Sequence, residues 1–466
     1  MVKAKEELID ASPVKSFFVT MLTRDIALEE AILDLLDNCV DGILTSSRRK
    51  GVKPYEGFKA EIQFDKNSFT ISDNCGGIPW KLRKYAFRMG RPANRPPDTP
   101  GTVGVYGIGM KRAIFKMGKK CKISTRNGTD NYEIEITPDW ISDEKLWDIP
   151  LKRASEPMRE EGTIIKIEDL NPGIKERFYE DAESFESLLE SKISSHYGFI
   201  MDKGFEVKIN GNEVKPQHAK LIFNPKRKKA PAIQPYIFRT KSQGVEVFLA
   251  VGFYRPIPSQ NEVANEQEEK GYSSQMAGWT VVCNERVVLC NDRTEMTGWG
   301  EANVPRYHTQ FIAISGIVEF KSDDASKLPT TTTKRSIDAS SLLYLQTKNR
   351  MREGMRLFTD FTNKWKGRED EIRELFKVGE LLSPKEIEIK AEKLPLSATR
   401  GYPEGEQYKP ELPFPKKLEP TERRISFAKG LTEIKKVGEY LLNDADADPS
   451  EIGEKCFDVI LEEANE

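Results

Sequence analysis

Residues 26–44 constrain what this chain can fold into more than any other stretch. Apolar side chains recur at Ile32, Leu33, Leu35, Leu36, Cys39, Val40, Ile43 and Leu44, a spacing that predicts a helix with most of its circumference buried. Along the remaining strip stand Asp34, Asp37, Asn38 and Asp41, whose offsets of three, four and seven put them on one face. Carboxylates stacked on a mostly buried helix repel one another and lose hydration. Something cationic or hydrogen-bonding is therefore expected against them, and magnesium with a phosphate, or a polarised water, would serve. A surface helix whose charged strip faces water is the plainer alternative.

Two further segments narrow the choice. Residues 59–72 alternate apolar and polar side chains across a short turn at 65–68, which predicts a β-hairpin. It runs into Asp73-Asn74-Cys75-Gly76-Gly77-Ile78-Pro79, where the paired glycines allow a tight turn and close backbone approach to a ligand. Asp73, at the strand end, can accept a hydrogen bond from an exocyclic amine such as that of adenine. Then comes Gly101-Thr-Val-Gly104-Val105-Tyr106-Gly107-Ile108-Gly109-Met110-Lys111-Arg112, with a helix expected over about 110–117. Glycine-rich backbone entering a helix N-terminus favours an anion, because free N–H groups and the helix dipole both point at it. The loop is not a Walker A loop, which ends in Gly-Lys-Ser/Thr, and Arg112 stands where a dinucleotide fingerprint would have its third glycine. Residues 89–103, rich in Gly, Pro, Asn and Arg, read as a flap before it.

The acid–amide helix, the Asp-Asn-x-Gly-Gly-Ile-Pro turn and the Gly-x-Gly helix start follow one another within one hundred residues. In this order they resemble the GHKL superfamily of ATP-binding proteins, which includes the gyrase B subunit, MutL mismatch-repair proteins, the ninety-kilodalton heat-shock chaperones, microrchidia ATPases and histidine kinases. The resemblance covers about residues 15–170. It implies an α+β chain whose first domain is a two-layer α/β sandwich of the Bergerat type. It also implies ATP and Mg2+ as cofactors, with Asn38 as the magnesium ligand, a role that suits an ion held mainly by waters and phosphate oxygens. Asp73 would read the adenine amino group, with Gly77 and Ile78 beneath the base and Thr163 of the Gly162-Thr163 pair assisting. Gly104, Val105, Tyr106, Gly107, Ile108, Gly109, Met110 and Lys111 would form the phosphate-binding turn, with residues 90–106 as a lid.

One position departs from the family pattern. Four residues before the magnesium asparagine, hydrolysing members usually carry a glutamate that acts as general base. Here it is Asp34, one methylene shorter, and base geometry is sensitive to distance. Slow hydrolysis is the expectation, with Asp34 as base; Glu30, a helical turn earlier, reads better as a first-turn surface glutamate.

Length fits two domains and a tail, with boundaries expected at 1–200 (ATP-binding), 201–382 (a second α+β region with trailing helices), 383–423 (a proline-rich linker) and 424–466 (a small helical segment). Residues 205–214 predict a hairpin on an Asn-Gly turn, strands are expected near 234–254, 279–290 and 311–320, and helices over about 340–382. This layout resembles the transducer domain of gyrase-like and MutL-like members, in which a loop lysine reaches the γ-phosphate. Lys334, after Thr330–Thr333 and before a helix, is the candidate, and Arg335 the reserve.

A net charge of −2 implies no global nucleic-acid field, although 226–229 and 48–50 are short basic clusters. No apolar run approaches membrane-spanning length, and neither a secretory signal nor a metal-ligand cysteine spacing appears, so reduced thiols in a cytoplasm are expected. The functional expectation is an ATP-dependent homodimeric clamp with slow ATPase turnover, acting on DNA in repair or defence or on a partner protein. A non-hydrolysing ATP-sensing switch and a chaperone-type ATPase are the alternatives. A histidine kinase is disfavoured, because the earliest histidine is His196, with none upstream of the site.

Overall fold

The computed structural model describes residues 14–46, 53–88, 108–154, 156–217, 220–224, 232–269, 276–331, 336–399, 404–415 and 424–465. The chain divides into two compact units, residues 1–414 and 415–466.

The helix expected from residues 26–44 runs Leu28–Thr45. Ala31, Ile32, Leu33, Leu36 and Ile43 lose essentially all contact with solvent, and they form one core with the strands described next. A fully buried leucine or isoleucine stabilises a fold by about 1.5–3 kcal/mol, so the apolar face fixes this helix. Its acidic residues must then find partners where that face puts them.

The first sheet is built from β1 (Lys59–Phe64), β2 (Ser68–Asp73), β3 (Gly118–Asn127), β4 (Asp130–Ile136), β5 (Leu151–Arg153), β6 (Gly162–Leu170), β7 (Glu206–Ile209) and β8 (Asn212–Glu213). Its order is β5-β4-β3-β6-β2-β1-β7-β8, antiparallel except where β7 joins β1 in parallel. The expected 59–72 hairpin is β1–β2, registered Phe64 to Phe69. The β7–β8 hairpin turns on Asn210 and Gly211, both at positive φ (46° and 87°), as a two-residue Asn-Gly turn requires. Ala60, Ile62, Phe69 and Ile71 alternate into the core against Leu28–Thr45, Gly109–Met117 and Ala182–His196, giving an α/β sandwich.

A second sheet follows, from β10 (Tyr236–Ser242), β11 (Val245–Phe253), β12 (Gly278–Cys283), β13 (Arg286–Asp292), β14 (Ile314–Lys321), β16 (Ser397–Ala398) and β17 (Glu406–Tyr408), in the order β13-β12-β14-β11-β10-β17-β16. The long helix Leu342–Trp365 packs on it so closely that a Cβ on Gly354 would stand 2.5 Å from Val251. Phe253 of β11 meets Phe358, Phe361 and Phe376 with ring centroids 5.1–5.4 Å apart.

Two stretches differ from expectation. Residues 380–382 end the predicted helical region as a strand, β15 (Glu380–Leu382), paired with β9 (Leu221–Phe223). Within the segment read as a proline-rich linker, Pro384–Ala391 is a helix with a Ser383–Glu386 capping box, β16 and β17 extend the second sheet, and Leu412 enters its core. Prolines bracket these short elements without interrupting them. β17 is held by β10, far away in sequence, and β16 by β17, so composition alone reads them as linker.

In the second unit, Leu431–Leu442 and Pro449–Asn465 form a helical pair that crosses at Gly438, where a Cβ would approach Ile452 to 2.9 Å. Ile452 is buried there, while Leu431, Tyr440, Phe457 and Ile460 remain exposed.

Candidate nucleotide site

The acidic strip of the Leu28–Thr45 helix does not share one environment. Asp34 is buried, and its Oδ2 accepts a 2.6 Å charged hydrogen bond from Arg112 Nη2. Asp37 is buried on the other side, where Oδ1 lies 2.7 Å from Arg286 Nη1 and 2.7 Å from the Tyr197 hydroxyl. Asn38 alone between Ala31 and Val40 is exposed. Two arginines of the chain itself therefore balance two of the carboxylates for which a metal–phosphate was expected. Glu30 is engaged elsewhere, with Lys192 at 2.6 Å.

Around this helix the other predicted segments close in. The Gly109–Met117 helix starts against Asp34, and a Cβ on Gly109 would stand 3.3 Å from Asp34 Oδ2. Glycine at 109 thus lets a helix N-terminus lie beside the acid. Gly42 does the same on the other side, since a Cβ there would fall 2.6 Å from the Cys75 carbonyl. Cys39 Sγ reaches Asp73 Oδ2 at 3.6 Å, so the turn after β2 rests directly on the acid–amide helix.

That turn is tightly determined. Gly76 and Gly77 have φ of 104° and 67°, and a Cβ on Gly77 would lie 2.1 Å from the Arg126 carbonyl. Asp73 pairs with Thr163 across β2 and β6, and a Cβ on Gly162 would meet the Asp73 carbonyl at 1.9 Å. The Gly162-Thr163 pair is thereby explained as a place where two strands come too close for a side chain. Asp73 Oδ1 accepts from the Cys75 amide at 2.7 Å. Burial pushes its carboxyl up to about 6, while the Cys75, Cys39 and Thr163 hydrogen bonds act the other way. Ile78 is held from both sides, its N–H donating to Thr125 Oγ1 at 2.8 Å and its carbonyl accepting from the Tyr132 hydroxyl at 2.9 Å.

Lys111 is buried within the Gly109–Met117 helix, and burial pulls its ammonium down to about 8. Ile108 and Met110 are half-buried beside it. Gly104, Val105, Tyr106 and Gly107, with most of the expected lid, lie outside the described residues, as do Lys334, Arg335 and both basic clusters. On either side of 332–335, Thr331 N donates to Ser336 O at 3.0 Å, and Thr330 pairs with Ile337.

Sequence reading missed Arg112, Arg286, Tyr197, Thr125 and Tyr132. Arg112 was visible only as a residue that breaks a dinucleotide fingerprint. Arg286 carried a weak signal, a charge opening the apolar run Val287-Val288-Leu289. Thr125 and Tyr132 sit on alternating strand positions with nothing local to mark them.

An eight-stranded mixed sheet, a helix layer, a glycine-started helix against an acid–amide helix, and a strand-end aspartate beside a Gly-Gly turn define a nucleotide-binding sandwich. Residues 26–169 match the family described as histidine kinase-, DNA gyrase B-, and HSP90-like ATPase. Residues 26–169 are accordingly a GHKL-type domain, which supports ATP binding. No curated protein matches the chain. Among the described residues no helix is long and apolar enough to cross a membrane, and no group of three His, Cys, Asp or Glu side chains forms a metal cage. One exposed amide, Asn38, is instead the kind of single neutral oxygen donor that suits an ion carrying waters and phosphate oxygens.

Proposed function

We propose that this chain binds Mg2+–ATP through Asn38, hydrolyses it slowly with Asp34 as general base, and uses nucleotide-driven closure and dimerisation as a clamp on DNA or a partner protein. The reading is carried by one juxtaposition: the N-terminus of the Gly109–Met117 helix lies against Asp34, with the exposed Asn38 one turn away on the same helix. Bound between them, the ion would draw charge from the terminal phosphate oxygens. Asp34 would take the proton of the attacking water, and Asn38 would orient the phosphates. Asp73 and Thr163 would select adenine. Lys334, from the 201–382 transducer-like region, would stabilise charge on the transferring group.

Two measurements test it. Sizing of the full chain should give a dimer with a non-hydrolysable ATP analogue and a smaller species without it. Lys334→Ala should lower steady-state phosphate release on the order of a hundredfold while nucleotide affinity stays close to that of the wild type. Unchanged release in that variant removes Lys334 from the mechanism.

The raised carboxyl of Asp73 gives a pH dependence of definite sign. Only the ionised form is a pure acceptor for an adenine amine. With its carboxyl at about 6, nucleotide affinity should be flat at neutral pH and fall as pH drops through about 6. Titrating affinity against pH in the wild type and in Asp73→Asn checks this: the acid-side fall should vanish in the variant.

A second reading is favoured by the Arg112–Asp34 ion pair. A carboxylate already engaged by a guanidinium at 2.6 Å is a poor base for water. In that reading the chain is an ATP-sensing switch, and binding alone shifts its conformation.

A further inference from the structure

The second sheet meets the nucleotide domain at a charged plug. β12 and β13 are joined at Asn284 and Glu285, both at positive φ (47° and 72°), and this tight turn projects Glu285 and Arg286 toward the first sheet. Glu285 accepts from the Tyr55 hydroxyl at 2.6 Å and from Lys203, which stands beside β7. Arg286 goes deeper. Only 2% of it is exposed, and its Nη1 donates to the Tyr197 hydroxyl at 2.8 Å while standing 2.7 Å from Asp37 Oδ1. The Tyr197 hydroxyl in turn lies 2.7 Å from the Leu33 carbonyl. The guanidinium thus grips the Leu28–Thr45 helix twice, by the Asp37 carboxylate and, through Tyr197, by the backbone one turn earlier.

Asp37 immediately precedes Asn38. In a helix the Cα–Cβ directions of adjacent residues are fixed relative to one another, so a clamp on Asp37 sets the direction in which the Asn38 side chain leaves the helix. We infer that Arg286 is a positioning residue of the magnesium–nucleotide site: it holds Asn38 in its ligating direction from the second sheet, and an occupied site in turn tightens the Glu285–Arg286 turn against the first domain. The reciprocity is thermodynamic, because a contact that favours binding is itself favoured by it. The inference rests on Asn38 being the magnesium ligand. A merely structural ion pair would hold the two sheets together without touching the metal dependence of binding.

The test uses the full chain and the double variant Asp37→Asn/Arg286→Met, which removes both charges at similar volume. Affinity for ATP is measured by calorimetry with Mg2+ and with chelator, and hydrogen exchange over 284–292 is followed with and without Mg2+–ATP. In the wild type, Mg2+ should tighten binding and nucleotide should slow exchange at the turn. In the double variant the chelator value should hold, the Mg2+-dependent gain should shrink by about 10–100-fold, and the slowing should disappear. Arg286→Lys keeps the charge but loses the rigid guanidinium whose Nη1 meets both Asp37 and Tyr197; it should lose part of the gain, and it decides the matter if the double variant does not fold. A full Mg2+ gain in these variants overturns the inference while leaving the site reading intact. Absence of a Mg2+ gain in the wild type overturns the reading of Asn38 and the inference together.

Discussion

Arg286→Met alone should destabilise the first unit by about 3–5 kcal/mol, the usual consequence of leaving one member of a buried ion pair without its counter-charge. The loss follows from the surroundings of Asp37. It is 1% exposed, and its near neighbours are the Tyr197 hydroxyl and the Arg286 guanidinium. Burial alone opposes the charge on Arg286, yet Asp37 beside it more than compensates and holds the guanidinium above its ordinary range. Take the cation away, and Asp37 is left buried without its counter-charge. Removing both charges, as in Asp37→Asn/Arg286→Met, should recover most of the stability, because a buried pair replaced by well-packed neutral groups is often close to neutral. Urea unfolding of the wild type, the single and the double variant checks this. Equal midpoints for the wild type and Arg286→Met would mean that the pair is not formed in solution.

Asp34→Asn should lower phosphate release by about a hundredfold or more, the range associated with loss of a general base, with nucleotide affinity changed by no more than a few fold. The direction follows from chemistry: an amide cannot take the proton from water. Asp34→Glu is the informative companion. It restores the methylene by which aspartate falls short, so release should equal or exceed the wild type. Arg112 complicates the resting state, since Asp34 Oδ2 receives the arginine hydrogen bond. A carboxylate held by that guanidinium is a weaker base, which would slow hydrolysis. If wild type, Asp34→Asn and Asp34→Glu all release phosphate at background rate, the switch reading holds and the base assignment fails.

Much of the site was legible because its signals are local. The period of apolar residues in 28–45 specifies a helix wherever the chain puts it. The Asn210-Gly211 turn and the Gly76-Gly77 pair mark backbone that only such residues adopt cheaply. The start of a helix at Gly109 is written in the glycines before it. What escaped was long-range. Asp34 finds Arg112 at a separation of 78 residues, and Arg286 reaches Tyr197 across 89 and Asp37 across more than two hundred. No spacing rule predicts such pairs, so the sequence alone points instead to a metal–phosphate that would neutralise the whole strip. The strip is in fact divided: Asp34 and Asp37 are each given an arginine, Asp41 is half-buried and Asn38 faces outward. β16 and β17 escaped for a related reason: strands of two and three residues exist because β10 offers an edge to β17 and β17 one to β16, not because of their own composition.

The division also sharpens what a nucleotide would do here. Asp37 ties the Leu28–Thr45 helix to β13 and Asp34 meets the helix start at Gly109, while Asn38 is exposed, so the proposed site rests on Asn38. Calorimetry of ATP binding in Mg2+, comparing the purified wild type with Asn38→Ala, tests this most directly. The account predicts measurable association in the wild type and loss of its Mg2+-dependent part in the variant. Absence of association with either ATP or ADP, or identical affinities in the two proteins, would contradict it.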